Sequence, residues 1–584
     1  MTDTGAHRDM DAHRRSLADT VPLIGQLRGY PKHALGRDAV AALGVAATLV
    51  PQALAYGHVA GLAPAAGLYT VVGAALAFSL LTSTRFVVVA PSSTMAVMTF
   101  AAVHGPAAGD PRKAAALAGC LAVLVGLLCV ASPLLRMQRI SDLLSGPVAL
   151  GYLAGTAVVI FAGQIGVLIG VPARGEGALS KLWYVLTHLG QAHAVTAMVG
   201  LGSVAALLLL RRLHRHRLPA SLVVVLAAVA ASAVFDLAAR GVAVVGAVTG
   251  GVLLPGFSEV TGAEFRALLP AAGGIALIAI VETVYAIRKT DDPAAGRISL
   301  GRESVALGAA SVASGVLGGF TASGNTSKSL SARSAGAHSQ LFQIGTAAVV
   351  VFVLLSGGPI ISRLPLAALA ATLIAVTVPR LIDVPGFLRL WRGWRGEAVL
   401  ALVTAACVVV FGVLHGVLIA VLLAAAQMLR RTAYPHDSVL AVTKPDEPAH
   451  EVDEHDLPRT DVLIYRVDAP LFFANIDRVT ERIRTLTAAF RPDLRYLILD
   501  AEAVFYLDAT AADKIAELTL DLRGHGCELL LARVRTPVLT TLQTNPYHDG
   551  ATHDLHAFPS VRQAYAYAHD ELQTPNSDGQ RDAH

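Results

Sequence analysis

Long apolar segments follow one another from about Val40 to Leu429, separated by short polar breaks. A membrane-spanning helix needs about 20 apolar residues, and many of these segments reach that length. The clearest are Ala114–Leu134, Gly151–Val171, Val195–Leu210, Ala220–Phe235, Ala271–Ile287 and Ala398–Leu429. The last is long enough for two spans. Together with weaker segments that Gly or Pro interrupts, the pattern predicts about fourteen transmembrane helices.

Lys and Arg in the polar breaks predict the orientation of these helices, because such residues accumulate on the cytoplasmic side. They precede the first segment and follow the fourth, sixth, eighth, twelfth and last segments. The residues are Arg28, Lys32, Arg37, Arg136, Arg139, Arg211, Arg212, Arg215, Arg217, Arg288, Lys289, Arg380, Arg389, Arg392, Arg395, Arg430 and Arg431. All lie on one side if both termini are cytoplasmic. We therefore expect a multi-pass protein of the plasma membrane, and the polar N-terminus has no signal-peptide pattern.

Beyond Arg431 the pattern becomes that of a soluble α/β domain. Strands are predicted at Val462–Val467, Tyr496–Asp500 and Glu528–Ala532, and helices at Ala474–Leu486, Ala511–Leu522 and Val561–Leu572. Their alternation predicts a small sheet covered by helices. The expected domains are a cytoplasmic segment (1–35), a transmembrane domain (36–433), a charged linker (434–457), the α/β domain (458–572) and a disordered tail (573–584).

Composition agrees with a membrane protein and narrows the function. Hydrophobic residues make up 54% of the 584 and charged residues only 15%, against about 25% charged in soluble proteins. A net charge of +4 does not suggest nucleic-acid binding. The four cysteines form no CxxC pair, which argues against a metal site or disulfide framework. No nucleophile–base pair, phosphate loop or ATPase domain is recognisable. We expect neither an enzyme nor a cofactor, and transport driven by ion gradients.

Two apolar segments have an unusual centre. Phe86–Met98 and Gly318–Leu330 each begin with extended or Gly-rich sequence and continue through small hydroxyl residues into a helix. Broken segments in corresponding halves of a chain mark the binding site of many transporters. The N-terminus of a helix favours an anion, and Ser92, Ser93, Ser327 and Ser329 are candidate hydroxyl donors. The alternative is that these serines are helix caps or small residues at helix contacts.

Two charged residues interrupt otherwise apolar sequence. A Lys at the membrane centre costs at least ~2.5–3.5 kcal/mol, so Lys328 is a candidate anion ligand unless its amino group reaches the membrane surface. Glu282 is a candidate carrier of the coupling ion, since burial favours its protonated form. With Thr283 and backbone carbonyls it suits sodium equally well. A structural Glu282–Lys328 ion pair is the alternative.

The first span contains a further polar pair. Gln52 and Tyr56 are four residues apart and therefore share a helix face, where they either bind substrate or join two helices. Pro51 is expected to disturb this helix.

Several motifs in the same order resemble the sulfate permease family, also called solute carrier 26. Those resembling its first, third and tenth spans begin at Pro51 (Pro-Gln-Ala-Leu-Ala-Tyr), Ala90 (Ala-Pro-Ser-Ser) and Ser327 (Ser-Lys-Ser-Leu-Ser-Ala-Arg). Phe472-Phe-Ala-Asn and Asp508-Ala-Thr resemble its C-terminal STAS domain. In STAS domains of anti-sigma antagonists a phosphorylated Ser lies near the position of Thr510. Here we expect Asp508 and Thr510 to cap the next helix.

The resemblance implies an α-helical polytopic fold with fourteen transmembrane segments in a seven-plus-seven inverted repeat. A core domain would move against a gate domain, a cytoplasmic STAS domain would come after them, and the protein would form a homodimer. Gln52, Tyr56, Ser327 and Lys328 match substrate positions, and Glu282 matches the acid that carries the coupling ion. Arg is usual at the position of Lys328, which lacks the planar fork that suits oxyanions.

The most favoured function is therefore secondary active transport of a small oxyanion, sulfate first, by proton symport. Bicarbonate or a C4-dicarboxylate is the alternative substrate, and sodium the alternative coupling ion. Nucleobase transport is disfavoured because those neutral substrates call for a carboxylate where this chain has Lys328. Exchange, a channel-like mode and a membrane sensor that has lost transport remain open.

Overall fold

The computed structural model describes residues 22–27, 30–134, 146–172, 175, 177–213, 220–246, 256–290, 298–442, 449–452, 461–489, 493–545, 552 and 555–573. The chain forms two compact units that divide near Ala424. The basic residues Arg28, Arg136, Arg139, Arg215 and Arg217 lie outside the described residues. So does the tail predicted to be disordered, apart from Gln573.

The first unit is almost entirely helical. Its elements up to residue 246 are α1 (Pro22–Leu27), α2 (Lys32–Val59), α3 (Ala65–Leu81), β1 (Val89–Ala90), α4 (Ser93–Ala107), α5 (Pro111–Ala131), α6 (Gly146–Ile169), α7 (Ala178–Thr187), α8 (Ala194–Leu213) and α9 (Ala220–Phe235). The later elements are α10 (Gly262–Thr290), α11 (Leu300–Val316), β2 (Ser323–Gly324), α12 (Thr326–Ser334), α13 (Leu341–Ser356), α14 (Gly358–Ser362), α15 (Leu366–Thr372), a π-helical turn (Leu373–Thr377), α16 (Val378–Leu381), α17 (Val384–Gly393) and α18 (Arg395–Ala433).

The described helices agree with the predicted membrane fold. Eight helical stretches are long and apolar enough to cross a membrane, and α3, α9 and α13 are shorter apolar helices. With α4, α11 and the short polar helix α12 added, the described part of the chain has fourteen helical segments that match the predicted spans, seven before Asp236 and seven after Glu259. The third segment of each half is the broken one, α4 or α12 with its preceding strand. This correspondence fits a seven-plus-seven repeat.

Proline and glycine act differently in the two helices where breaks were expected. Pro51 does not interrupt α2, which is continuous from Lys32 to Val59. In α18 the backbone leaves the helical region at Gly412, with φ 81° and ψ 167°, a conformation that favours glycine. Two spans, Arg395–Val413 and His415–Ala433, meet there, as the length of the apolar segment predicted.

Small residues bring the central helices of the first unit together. α11 packs against α3 and α5. A Cβ atom at Gly308 would lie 2.5 Å from the carbonyl oxygen of Gly126, and one at Gly126 would lie 2.6 Å from that of Gly308. Such contacts allow close approach of two backbones where lipid provides no hydrophobic driving force between helices. The close packing holds α5 and α11 at a fixed separation beside the broken segments.

The second unit is an α/β domain. Its elements are β3 (Asp437–Ala441), β4 (His450–Val452), β5 (Val462–Val467), α19 (Ile476–Ala489), β6 (Tyr496–Asp500), α20 (Ala509–Gly524), β7 (Glu528–Ala532), α21 (Thr536–Gln543), β8 (Ala557–Phe558) and α22 (Val561–Gln573). The strand order is β4-β3-β5-β6-β7-β8, antiparallel as far as β5 and parallel from there. One face packs on α19, α20 and α21, and the other on α22.

The structure corrects two details of this domain. Part of the expected linker (434–457) forms β3 and β4, which extend the sheet, while its residues 443–448 and 453–457 lie outside the described part of the chain. The cap of α20 is Asp508 alone: its carboxylate accepts a hydrogen bond from the backbone N–H of Ala511 at 2.8 Å. Thr510 is exposed and lies inside the first turn of the helix rather than at its cap.

Candidate functional site

The two broken segments meet at the centre of the first unit. β1 and β2 pair antiparallel, with Val89 opposite Gly324 and Ala90 opposite Ser323. Helix α4 begins directly after β1 and helix α12 directly after β2. Because the paired strands run in opposite directions, the two helices leave on opposite sides and their N-termini face the strand pair. This is the arrangement that the two motifs predicted.

Hydrogen bonds from neighbouring elements satisfy the extended backbone, as a membrane interior requires. The carbonyl oxygens of Val87 and Val89 accept from Gln340 Nε2 (3.0 Å) and Gln343 Nε2 (3.3 Å). The N–H and carbonyl of Val88 bond to Ser329 Oγ (2.9 Å) and to the N–H of Asn325 (2.8 Å). The strand pair is therefore a fixed platform between the two helix ends.

Two of the candidate site hydroxyls belong to this platform. Ser329 Oγ accepts from the N–H of Val88 and donates to the carbonyl oxygen of Asn325 at 2.7 Å. Thr283 Oγ1 accepts from the N–H of Gly324 at 2.9 Å and donates to the carbonyl oxygen of Ala279 at 2.7 Å. Both hydroxyls are engaged by the backbone, so the geometry gives Ser329 and Thr283 a supporting place beside the site.

Glu282 lies at the junction of the two broken segments and is surrounded by hydroxyl groups. Its Oε2 accepts from Ser323 Oγ at 2.6 Å and from Ser92 Oγ at 3.2 Å, and its Oε1 accepts from Tyr152 OH at 3.3 Å. Among the described residues it makes no ion pair with Lys328, so the structural pairing considered as an alternative is not formed. A carboxylate held only by hydroxyls can take up a small cation when those hydroxyls turn.

Lys328 is in the first turn of α12 and is only 3% exposed. Its backbone N–H donates to the capping oxygen of Asn325 at 3.2 Å. No described carboxylate lies within 4 Å of its Nζ. The nearby charge that acts on Lys328 is that of Arg380, which has the same sign. A buried cation beside a second cation, at two helix N-termini, is a favourable place for an anion.

The remaining candidates line the same region. Gln52 and Tyr56 of α2 are each 4% exposed, so the shared face predicted for them is buried. Tyr56 OH lies 3.4 Å from Thr377 Oγ1 and also bonds the side chain of Ser93. Ser92 caps α4 through the N–H of Met95 at 3.3 Å while donating to Glu282. Ser92 thus serves as a helix cap and also joins the helix end to the acid.

Ser327, also in the first turn of α12, faces a group on another helix. Its Oγ accepts a hydrogen bond from Arg380 Nη1 at 3.1 Å. The guanidinium of Arg380 is exposed, whereas Lys328 beside Ser327 is buried. The end of α16 therefore approaches the first turn of α12.

Sequence reasoning missed several side chains of this site, among them Thr94 and Thr377. Tyr152 is one of a few polar residues in the apolar helix α6, with Thr156 and Gln164, and its partner Glu282 is distant in sequence. Ser323 lies within the broken segment that was recognised but was not singled out among its hydroxyls. Arg380 was counted only as a basic residue of a cytoplasmic break. The available signal was the sequence Val378-Pro-Arg, which places a helix breaker and a cation at the end of an apolar segment.

The first unit has two opposed half-helices, a buried cation with no ion-pair partner among the described residues, and a half-buried acid, which is the arrangement of a membrane transport protein. The sequence profile of the sulfate permease family matches residues 35–404, and that of the STAS domain matches residues 456–564. The chain belongs to the sulfate permease family.

Relatives and solved structures agree with this assignment. A Mycobacterium tuberculosis protein named as a probable sulfate transporter is 35% identical over 552 residues, which cover 94% of this chain and 98% of that protein. Human sulfate anion transporter 1 is 26% identical over 647 residues, covering 96% and 91%. The structure of the murine solute carrier 26 member A9 anion transporter superposes with a TM-score of 0.87 at 19% identity, over 94% of each chain. The transmembrane domain of a cyanobacterium bicarbonate transporter gives 0.60 at 20% identity, over 68% of this chain and 98% of that one. These likenesses confirm the fold.

Proposed function

We propose that this protein is a secondary active transporter that carries sulfate together with a proton. The observation that carries the proposal is Lys328: it is 3% exposed, lies at the N-terminus of a half-helix, and has no described carboxylate within 4 Å. A buried charge without a partner costs several kcal/mol, and an anion bound from solution would offset that cost. Transport of this kind draws on ion gradients and needs no enzymatic step or cofactor.

The anion would bind between the N-termini of α4 and α12. Lys328 supplies a full charge, and the two helix ends supply about half a charge each. Hydroxyl donors come from Tyr56, Ser92, Ser93 and Ser327, and Gln52 adds an amide on the buried face of α2. Ser329 and Thr283 support the site rather than bind the anion, because their hydrogen bonds to the backbone keep the strand pair in place.

Coupling would pass through Ser92, the hydroxyl that touches both parts of the site. Ser92 caps α4 at the anion end and donates to Glu282 at 3.2 Å. When the anion engages this hydroxyl, the carboxylate loses a donor and its affinity for a proton rises. Sulfate then pairs with Lys328 and the proton removes the charge of Glu282, so neither side chain carries an unpaired charge while the half-helices move.

Sulfate is the first choice of substrate because the relatives include a bacterial protein named as a probable sulfate transporter and human sulfate anion transporter 1. Bicarbonate and C4-dicarboxylates are the alternatives, and a lysine ammonium accepts all three because it imposes no planar fork. We further propose that the protein resides in the plasma membrane, with both termini cytoplasmic, and works as a homodimer. The distribution of Lys and Arg supports that orientation.

Uptake of radiolabelled sulfate into proteoliposomes tests this function. The purified protein is given an inward proton gradient, an inward sodium gradient or no gradient. The proposal expects accumulation with the proton gradient only. Accumulation with sodium would reassign the ion that Glu282 serves. Sulfate exchange without accumulation under either gradient would argue against coupling to an ion. No sulfate movement in any condition would refute sulfate, and the same vesicles would then be tested with bicarbonate and succinate. Failure there too would favour a sensor.

A further inference from the structure

We propose that Arg380 is a second cation of the anion site and strengthens its binding of sulfate, a divalent anion. This inference rests on the proposed anion site and extends it to a residue on another helix. Lys328 supplies a point charge from α12, and Arg380 supplies a planar guanidinium from the end of α16.

The contacts place Arg380 at the entrance of the site. Its Nη1 donates to Ser327 Oγ at 3.1 Å, and Ser327 precedes Lys328 in the chain. Its charge acts on the amino group of Lys328 and on the hydroxyl of Tyr56, two of the groups assigned to the anion. Arg380 is exposed whereas Lys328 is buried, so the guanidinium is the accessible member of the pair.

The local backbone is built to present this residue. A π-helical turn, Leu373–Thr377, joins α15 to α16, and such turns are frequent at functional sites. The extra residue in the turn rotates the next part of the helix, and Thr377 Oγ1 lies 3.4 Å from Tyr56 OH. Three residues after Thr377, Arg380 reaches Ser327. The turn therefore directs two polar side chains to the same site from an otherwise apolar helix.

Pro379 would leave one backbone carbonyl without its helical partner, and a side chain from another helix bonds that carbonyl instead. Proline has no N–H, so in a regular helix the carbonyl four residues earlier, that of Ala375, would lose its partner. Arg211 of α8 donates to this carbonyl from its Nη1 at 2.8 Å. A charged side chain from a second helix thus stabilises the irregular turn that carries Arg380. This argues that the irregularity is maintained rather than incidental.

Chemistry explains why a second cation matters here. Two like charges close together are unfavourable unless an anion lies between them, and a divalent anion gains about twice as much from each cation as a monovalent one. The guanidinium also offers the two-pronged donor geometry that Lys328 lacks. In the absence of an anion, its bond to Ser327 Oγ holds the guanidinium at the entrance.

The alternative is that Arg380 is only one of the basic residues that set membrane orientation. A test must therefore respond to the sign of the charge at position 380 and not merely to loss of a side chain. Arg380→Cys, labelled with a positive, a neutral or a negative methanethiosulfonate reagent of similar size, provides that comparison. Arg392→Cys is the matched control, because Arg392 is exposed on α17 and makes no described contact with the site. Wild-type protein treated with each reagent controls for the four native cysteines.

Sulfate affinity is measured twice, as the dissociation constant of the purified protein and as KM for sulfate–sulfate exchange without any gradient. The negative label should weaken sulfate binding at least tenfold relative to the positive label, with the neutral label between them, and Arg380→Lys should bind more tightly than Arg380→Gln. Labels on Arg392→Cys should leave the affinity within about twofold. A tenfold change corresponds to about 1.4 kcal/mol.

Equal affinities for all three labels on Arg380→Cys would overturn the inference. Wild-type protein that binds sulfate but shows no gradient-driven uptake would refute coupled transport alone, since the binding measurement still decides the role of Arg380. Wild-type protein that binds no sulfate would overturn both.

Discussion

Replacing Glu282 by Gln should separate anion movement from ion coupling. Gln has nearly the same shape as Glu, and its amide oxygen still accepts hydrogen bonds from Ser323 or Tyr152, which now hold the carboxylate. The strand pair and the anion site therefore remain. The mutation removes the one carboxyl group of the described site, and with it the exchange of a negative charge for a proton at this position. We expect exchange of sulfate to continue while accumulation stops.

The expected loss of sulfate accumulation follows from the number of protons that Glu282 carries. One carboxyl group carries one proton per sulfate, so at zero membrane potential each unit of pH gradient supplies about 1.4 kcal/mol, equivalent to a tenfold sulfate gradient. A gradient of one pH unit should therefore bring wild-type vesicles to roughly ten times the external sulfate concentration. Glu282→Gln should end near equal concentrations under the same conditions.

The assay is tracer sulfate uptake with potassium equal on both sides and valinomycin present, so that the membrane potential stays at zero. Exchange measured in the same vesicles normalises for folded protein. Glu303→Gln is a matched control: Glu303 is 1% exposed and accepts hydrogen bonds from Thr82 Oγ1 (2.6 Å) and the N–H of Ser83 (2.9 Å), outside the site. It should still accumulate sulfate. Accumulation by Glu282→Gln at wild-type level would refute the reasoning.

Three further predictions concern the supporting structure. Gly308→Ala should lower thermal stability, by about 1–3 kcal/mol, because the new Cβ would lie 2.5 Å from the carbonyl oxygen of Gly126; an unchanged melting temperature would contradict the packing described. Ser329→Ala should also destabilise by about 1–3 kcal/mol, since it leaves the N–H of Val88 unpaired, yet folded protein should keep its KM for sulfate, whereas a binding role would raise it. Asp508→Ala should cost about 1 kcal/mol and speed hydrogen exchange in the first turn of α20, and unaltered exchange there would count against the cap.

The elements predicted most accurately from sequence are the strands that are buried on both faces of the sheet. The buried strands β5, β6 and β7 have the predicted bounds, because parallel strands covered on both faces form short continuous apolar runs. The edge strand β4 (His450–Val452) was assigned to a linker instead. It is short and polar, and it exists only because β3 offers it a partner, which local sequence does not reveal.

The candidate site was predictable where charge conflicts with its surroundings. Lys328 and Glu282 stood out because a charged residue in an apolar segment is costly and rare. Hydroxyl residues carry no such signal. Ser92 caps α4 and touches Glu282, whereas Ser329 lies inside α12 and bonds the backbone of Val88, and nothing in the two motifs distinguishes these roles. Arg380 depends on an irregular turn, for which the sequence offers only the weak signal of Pro379 and a cation at the end of an apolar segment.

Equilibrium binding of radiolabelled sulfate to the purified protein tests the central claim most directly, with Lys328→Ala compared with wild type and with Lys289→Ala. Lys289 is exposed near the end of α10, and its amino group lies over the ring of Tyr285. If the anion binds between the half-helices at Lys328, wild type and Lys289→Ala should bind sulfate with equal affinity, and Lys328→Ala should bind it at least tenfold more weakly. Unchanged binding by Lys328→Ala would contradict the account, because the anion would then lie elsewhere.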